Sequence, residues 1–143
     1  MIIEQKSYIL NLWDTNGRVK FRTLTKIFIR NSKIVVLVYD ITRKKTFEEL
    51  EYWFSTVKEI LDDEPVIGIV GNKSDLFMKE EVSEERVEKF AKEKNVSFKL
   101  ISAKHPLGFN SFLEDLLKEY LQKRREKLNK KLSFKLKYYS FYL

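Results

Sequence analysis

The stretch Val66-Ile67-Gly68-Ile69-Val70-Gly71-Asn72-Lys73-Ser74-Asp75 runs from six apolar or small residues directly into four polar ones. An uncharged run of this kind is typical of a parallel strand that is covered on both faces, and we predict a strand over Val66–Val70. Ligands of doubly wound sheets bind beyond the carboxyl ends of the strands, so the polar residues that follow are candidates for a binding site. This stretch therefore predicts a fold class and the edge of the sheet where a ligand would bind.

The rest of the chain alternates between strand-like and helix-like segments. Three further runs rich in β-branched residues are predicted strands: Tyr8–Trp13, Ile34–Tyr39 and Val96–Ile101. Segments with helical spacing separate the later strands and follow the last one, and three residues are their predicted N-terminal caps: Thr46, Ser83 and Asn110. The alternation indicates a doubly wound α/β sheet.

Polar residues follow the predicted strands at one edge of the sheet. Asp14, Asp40, Asn72 and Ser102 each lie at or just after the end of a strand. Because the carboxyl ends of parallel strands meet at the same edge, we expect these four side chains to converge on one rim. His105 has no cysteine or second histidine nearby, so we interpret it as a surface loop residue rather than a metal ligand.

The composition favours a soluble protein of the cytoplasm. The 143 residues include no cysteine, which excludes a disulfide framework, a thiolate metal site and a prenylated C-terminal cysteine. The start lacks the long apolar core of a signal peptide. No apolar run approaches the roughly 20 residues that span a bilayer.

Positive charge is concentrated at the C-terminal end. Of the 28 basic and 21 acidic residues, eight basic and one acidic lie in residues 123–143, so residues 1–122 hold 20 of each. We predict a domain over residues 1–122 and a basic, aromatic-rich tail over residues 123–143. The tail has the composition to lie on an anionic membrane, which we favour over RNA binding, or to extend the last helix. The alternation from Leu132 to Leu136 also permits a strand.

Several motifs together resemble a Ras-superfamily small GTPase of the Rab type over approximately residues 2–121. They are Leu12-Trp13-Asp14-Thr15-Asn16-Gly17, Phe21-Arg22-Thr23-Leu24, Asp40-Ile41-Thr42, Asn72-Lys73-Ser74-Asp75 and Ser102-Ala103-Lys104. The resemblance implies a P-loop-NTPase-like doubly wound sheet, GTP or GDP and Mg²⁺ as cofactors, and a switch in intracellular vesicle traffic. It also implies a cytoplasmic protein that sits peripherally on endomembranes.

The resemblance assigns roles to particular residues. The implied nucleotide-binding residues are Asp14, Gly17, Asn72, Lys73, Asp75, Ser102, Ala103 and Lys104. Asp75 would accept hydrogen bonds from two guanine nitrogens, the Lys73 stem would cover the base, and the Ala103 N–H would meet the guanine oxygen. Asn72 would tie neighbouring loops together. Asp14 would reach Mg²⁺ through water, and the Gly17 N–H would meet the γ-phosphate.

The same resemblance implies a surface for effector and regulatory proteins. Trp13, Phe21 and Phe28 occupy positions that resemble the hydrophobic face of Rab proteins. For Phe28, the sequence fits burial against the sheet equally well. Trp53 and Phe54 are predicted core residues of the helix that follows Thr46.

Two departures from the family affect activity. Arg18 stands where these GTPases carry the glutamine that orients water, and a guanidinium has no acceptor for that task. The sequence holds no G-x-x-x-x-G-K-[ST] phosphate loop, and the match begins in the second strand of the family. We therefore expect an N-terminally truncated sheet without its first strand and helix, with weak or absent GTP binding and hydrolysis. The alternative is a nucleotide-independent interaction module, a pseudo-GTPase, that docks partners or membrane through its surface and tail.

Overall fold

The computed structural model describes residues 1–15, 22–30, 32–61, 65–105 and 107–139. The elements in chain order are β1 (Ile2–Ile3), β2 (Lys6–Ser7), α1 (Arg22–Ile29), β3 (Ile34–Asp40), α2 (Lys44–Glu48), α3 (Leu50–Ile60), β4 (Val66–Asn72), a 3₁₀ segment (Ser74–Lys79), α4 (Glu84–Lys94), β5 (Ser97–Leu100) and α5 (Leu107–Tyr139).

The main sheet is parallel and has the order β3-β4-β5. Seven residue pairs join β3 to β4, from Ile34 opposite Val66 to Asp40 opposite Asn72. Four pairs join β4 to β5. These strands confirm three of the predicted ones, with ends that differ by one or two residues.

Helices cover both faces of this sheet, which confirms the predicted α/β class. On one face, Leu37, Tyr39, Ile67 and Ile69 pack with Phe47, Leu50, Val57, Val87 and Ala91 of α2, α3 and α4. On the other face, Val66 and Val70 pack with Phe112 and Leu116 of α5. The central strand β4 is buried from Val66 to Gly71, because it receives helices from both sides.

The prediction of a strand over Tyr8–Trp13 was wrong. The chain instead forms a hairpin of β1 and β2, whose turn residues Glu4 and Gln5 have φ values of 48° and 62°. Its pairing ends where the Met1 and Tyr8 backbones exchange hydrogen bonds. A strand exists only beside a partner edge, and no described strand lies along residues 9–13, where Ile9 is 92% exposed.

Two of the three predicted helix caps were also wrong. α2 begins at Lys44 and not after Thr46, whose N–H already donates to the Arg43 carbonyl oxygen at 2.9 Å. The Thr46 hydroxyl bonds backward, donating to the same oxygen at 2.7 Å and accepting from the Asp40 N–H at 2.9 Å. α5 begins at Leu107, three residues before Asn110. Ser83 does precede α4 with extended backbone angles, as predicted, although its side chain makes no capping hydrogen bond.

The last helix is longer than the pattern predicts. α5 runs for 33 residues from Leu107 to Tyr139, so the helix continues through the boundary between residues 122 and 123. The segment Leu132–Leu136 therefore has helical backbone, which contradicts the alternative of a strand. The division into a domain and a tail stays a prediction.

Candidate functional site

The carboxyl ends of β3, β4 and β5 form one polar edge, here called the rim: Asp40, residues 72–75 and residues 102–104. Backbone hydrogen bonds hold its loops together. The Ile41 N–H donates to the Asn72 carbonyl oxygen at 3.2 Å, and the Ser74 N–H donates to the Ile101 carbonyl oxygen at 3.1 Å. The parallel register ends β3 at Asp40 beside Asn72 of β4, which places the loops that follow side by side. The predicted convergence is therefore seen for Asp40, Asn72 and Ser102.

Asn72 joins two loops of the rim through one oxygen atom. Its Oδ1 accepts a hydrogen bond from the Lys73 N–H at 2.8 Å and another from the Ala103 N–H at 3.1 Å. Lys73 has a left-handed backbone, with φ of 67° and ψ of 34°, which turns the chain sharply after β4. The Ala103 N–H thus already has a partner within the protein.

Asp75 has a partner on each carboxylate oxygen. The Ser102 hydroxyl donates to Oδ1 at 2.6 Å, and the Lys104 ammonium donates to Oδ2 at 2.8 Å. Hydrogen bonds from Lys104 and then Ser102 lower the pKa of Asp75 from 3.8 to about 2. The carboxylate is therefore ionised and accepts hydrogen bonds at neutral pH.

A second aspartate holds the other lysine of the rim. The Lys73 ammonium lies 2.6 Å from Asp40 Oδ2, and Thr42 donates to Oδ1 from its backbone N–H at 3.0 Å and from its hydroxyl at 2.7 Å. Burial raises the pKa of Asp40, but the hydrogen bonds from Lys73 and Thr42 together outweigh it and leave that pKa below its ordinary value. Each aspartate of the rim is thus paired with one lysine.

Asp14 lines a cavity of about 650 Å³ between β3, α1, α3 and the start of α5, together with Trp13 and Thr15. No hydrogen bond or ion pair between described residues joins Asp14 to the rim, so its predicted convergence with the other three is not seen. Gly17, Arg18 and Phe21 fall outside the residues that the structure describes.

Asp14 is the one residue of this chain to which the resemblance gives a role at Mg²⁺. Within the described ranges, no group of three or more His, Cys, Asp or Glu side chains could hold a metal ion. Mg²⁺ usually keeps several waters and takes only one or two carboxylates together with phosphate oxygens, so a single carboxylate is compatible with that role, which stays a prediction.

Trp13 and Phe28 form an exposed aromatic pair. Their rings stack with centroids 5.4 Å apart, while Trp13 is 71% exposed and Phe28 44%. Phe28 therefore lies at the surface on α1, and burial against the sheet, the other expectation for it, is wrong. Two large apolar side chains on one surface are a feature of protein interaction sites.

Sequence reasoning missed the contact that holds α1 to α3. The Arg22 guanidinium pairs with Glu49 and lies 4.0 Å above the centre of the Tyr52 ring. The signal was an arginine on an amphipathic helix and an acidic residue three positions before Tyr52, but Arg22 and Glu49 are 27 residues apart, and no local pattern shows that two residues so far apart will meet. The pairing of each rim lysine was missed for the same reason.

Comparisons with known proteins match most of this chain to one family. A family model described as the Ras family matches residues 1–122. The Ras-related protein Rab-13 of Bos taurus is 35% identical over 132 residues, which cover 90% of this chain and 65% of that protein. The Ras-related protein Rab-8B of Bos taurus is 33% identical over 127 residues, which cover 89% of this chain and 61% of that protein. The chain thus spans less than two thirds of the length of these relatives.

Proposed function

This chain belongs to the Ras family, and from that premise we propose that its rim recognises the guanine base of GTP or GDP. In this proposal the protein is a Rab-like switch of intracellular vesicle traffic that works in the cytoplasm and peripherally on endomembranes. The observation that carries the proposal is the ionised Asp75 carboxylate, oriented by Ser102 at the edge of a parallel sheet.

The chemistry of the carboxylate favours guanine over adenine. Guanine presents two adjacent N–H donors on one edge, from its ring nitrogen and its amino group, and both match the acceptor atoms of Asp75. Adenine presents an acceptor at the ring position, which would face the negative carboxylate without a hydrogen bond. A buried group left unpaired in this way weakens binding strongly, so Asp75 would set the base specificity.

The other rim residues support Asp75. Ser102 is 6% exposed and fixes one carboxylate oxygen, and Asn72 holds the loop of Ala103 against the loop of Lys73. The stem of Lys73 would cover the base. Donation from the Ala103 N–H to the guanine oxygen requires that this N–H turn away from Asn72 or share itself between two acceptors.

The phosphate side of the site is a separate proposal. In the family, Mg²⁺ neutralises phosphate charge, and Asp14 and Gly17 are the residues of this chain that would face it and the γ-phosphate. One carboxylate that acts through water is compatible with Mg²⁺, which keeps several waters and also takes phosphate oxygens. We also propose that hydrolysis is slow, because Arg18 cannot accept a hydrogen bond from the attacking water.

A base-swap experiment tests the guanine proposal. Asp75→Asn replaces one acceptor by a donor, which suits the C2 carbonyl of xanthine instead of the amino group of guanine. NMR titrations should show that the wild type prefers GDP to ADP, whereas Asp75→Asn loses at least about tenfold in GDP affinity and gains affinity for xanthosine diphosphate. Asp115→Asn, on the exposed surface of α5, is the matched control and should bind like the wild type. Equal affinity of the wild type for GDP and ADP would refute the proposal.

A second candidate function is a nucleotide-independent interaction module. The exposed stack of Trp13 on Phe28 favours it, because a partner protein can use this surface whether or not a nucleotide is bound. In this proposal, Trp13, Phe21 and Phe28 contact effector or regulatory proteins. A partner whose binding falls with Trp13→Ala but is unchanged by Asp75→Asn and by added GDP would support this candidate over the switch.

The basic tail supplies a further part of either candidate, contact with an anionic membrane. The helical backbone reaches Tyr139, and the sequence from residue 123 onward holds eight basic residues and one acidic residue. Each Lys or Arg near an anionic surface contributes about 1 kcal/mol to binding. No described helix is long and apolar enough to cross a bilayer. Cosedimentation with phosphatidylserine vesicles, lost at high salt and absent with phosphatidylcholine alone, tests the contact.

A further inference from the structure

The two hydrogen bonds to Asp75 come from side chains of very different exposure. Ser102 is 6% exposed, and its hydroxyl donates to Asp75 Oδ1 at 2.6 Å. The Lys104 side chain is 72% exposed, and only its ammonium reaches the carboxylate, at 2.8 Å from Oδ2. Ser102 is therefore a fixed support of the carboxylate, whereas Lys104 is free to leave at small cost.

We propose that Lys104 is an internal competitor of the base: its ammonium occupies the Asp75 oxygen to which a guanine edge would donate. The inference rests on the proposed function and concerns the regulation of that same site. A ligand must first displace the ammonium from Oδ2, so the pair lowers the affinity for the base. Lys104 acts through Asp75 and is a positioning residue in this scheme.

The other lysine of the rim does not compete in this way. The Lys73 ammonium is held 2.6 Å from Asp40, a carboxylate that is 14% exposed and also bonded to Thr42. Lys73 is thereby kept on the β3 side of the rim. Lys104 is the one lysine of the described rim that contacts Asp75.

The Lys104–Asp75 ion pair is exposed, which limits how much it can lower the affinity for the base. Such pairs contribute little to stability, so displacing Lys104 weakens binding by about two- to fivefold and no more. Added salt screens an exposed pair, so the penalty falls as ionic strength rises. A neutral nucleoside is the right probe, because the phosphates of GDP would attract Lys104 and add an opposing effect.

Lys104→Met tests the proposal because methionine keeps an unbranched stem and removes only the charge. The matched control is Lys118→Met on α5, whose ammonium lies 3.6 Å from Asp115 at a similarly exposed site. In NMR titrations at low salt, Lys104→Met should bind guanosine about two- to fivefold more tightly than the wild type, and Lys118→Met equally. At about 1 M salt the guanosine affinities of Lys104→Met and of the wild type should converge.

A second measurement follows the ion pair without a ligand. The pKa of Asp75, about 2 in the wild type, should rise toward 3.8 in Lys104→Met when its carboxyl carbon is titrated by NMR. An unchanged pKa, or guanosine binding by Lys104→Met that is no tighter than by the wild type, overturns the inference alone. Failure of every variant to prefer guanosine to adenosine overturns the proposed function, and the inference with it.

Discussion

Gly71 lies under the rim at a place where no side chain fits. A Cβ atom at this position would lie 2.5 Å from Leu100 Cδ2, 2.7 Å from the Tyr39 hydroxyl oxygen and 2.9 Å from Tyr39 Cζ. Tyr39 is 1% exposed and packs edge-on against Phe47, so its ring has no room to withdraw. We therefore expect Gly71→Ala to push β4 away from its neighbours β3 and β5 near Asn72, the first rim residue of β4.

The expected loss of stability is about 1–3 kcal/mol, which is typical of an added methyl group in a packed core. A loss of this size corresponds to a decrease of roughly 4–12 °C in Tm for a chain of this length. Urea unfolding followed by the fluorescence of Trp13 and Trp53 measures the change. Restricting the unfolded chain by the same substitution would stabilise by about 0.4–1 kcal/mol, so the observed sign reports the clash.

Two further variants make the test specific. Gly108→Ala is the matched control, because a Cβ there lies in a helix and meets no described atom closer than 3.9 Å, so stability should stay the same or rise. Tyr39→Phe removes the hydroxyl, which has no hydrogen-bond partner in the part of the chain that the structure describes, and should partly rescue Gly71→Ala by at least about 0.5 kcal/mol. A Gly71→Ala protein as stable as the wild type, or one that Tyr39→Phe does not rescue, would refute this account of the contact.

Three other predictions follow from the packing and the charges. Leu116→Ala should lower the free energy of unfolding by about 2–5 kcal/mol in urea titration, because Leu116 is fully buried between β4 and α5. Arg22→Met should cost about 1–2 kcal/mol in the same assay through the lost contacts with Glu49 and the Tyr52 ring, whereas Arg30→Met, at an exposed site, should be neutral. The stability that ionised Asp75 contributes is present above its unfolded pKa of 3.8 and is lost as the pH falls through about 2. Between about pH 4 and pH 2, the free energy of unfolding should therefore change less steeply with pH in Asp75→Asn than in the wild type. An unchanged slope in the variant would contradict this prediction.

Buried strands could be predicted from the sequence because their pattern is local. Val66–Asn72 is apolar along nearly its whole length and carries helices on both faces, so its composition alone indicated where it lies. The segment Tyr8–Trp13 has similar residues but is not a strand in the structure. Strand formation there depends on a neighbouring edge, and no local pattern states whether one is present.

The sequence predicted which residues meet at the rim but not which lysine pairs with which aspartate. The register of parallel strands brings Asp40, Asn72 and Ser102 to one edge, which the order of elements already implied. Which lysine binds which aspartate depends on loop geometry, such as the left-handed backbone of Lys73. Lys73 and Lys104 have the same chemistry in the sequence, yet one pairs with Asp40 and the other with Asp75.

The hydrogen bonds already present in the rim limit how much a base can add to the binding of a nucleotide. Because Lys104 occupies Oδ2 of Asp75 and Asn72 accepts from the Ala103 N–H, a base that enters the rim exchanges these two hydrogen bonds instead of adding them. The net gain from such an exchange is small, since each intramolecular hydrogen bond contributes only about 0.5–1.5 kcal/mol. The rim would then supply specificity for guanine, and the main part of the affinity for GDP would come from contacts with its phosphates. The difference in affinity between guanosine and GDP, measured in Lys104→Met so that the ammonium cannot respond to the phosphates, therefore reports what the rest of this chain offers the phosphates.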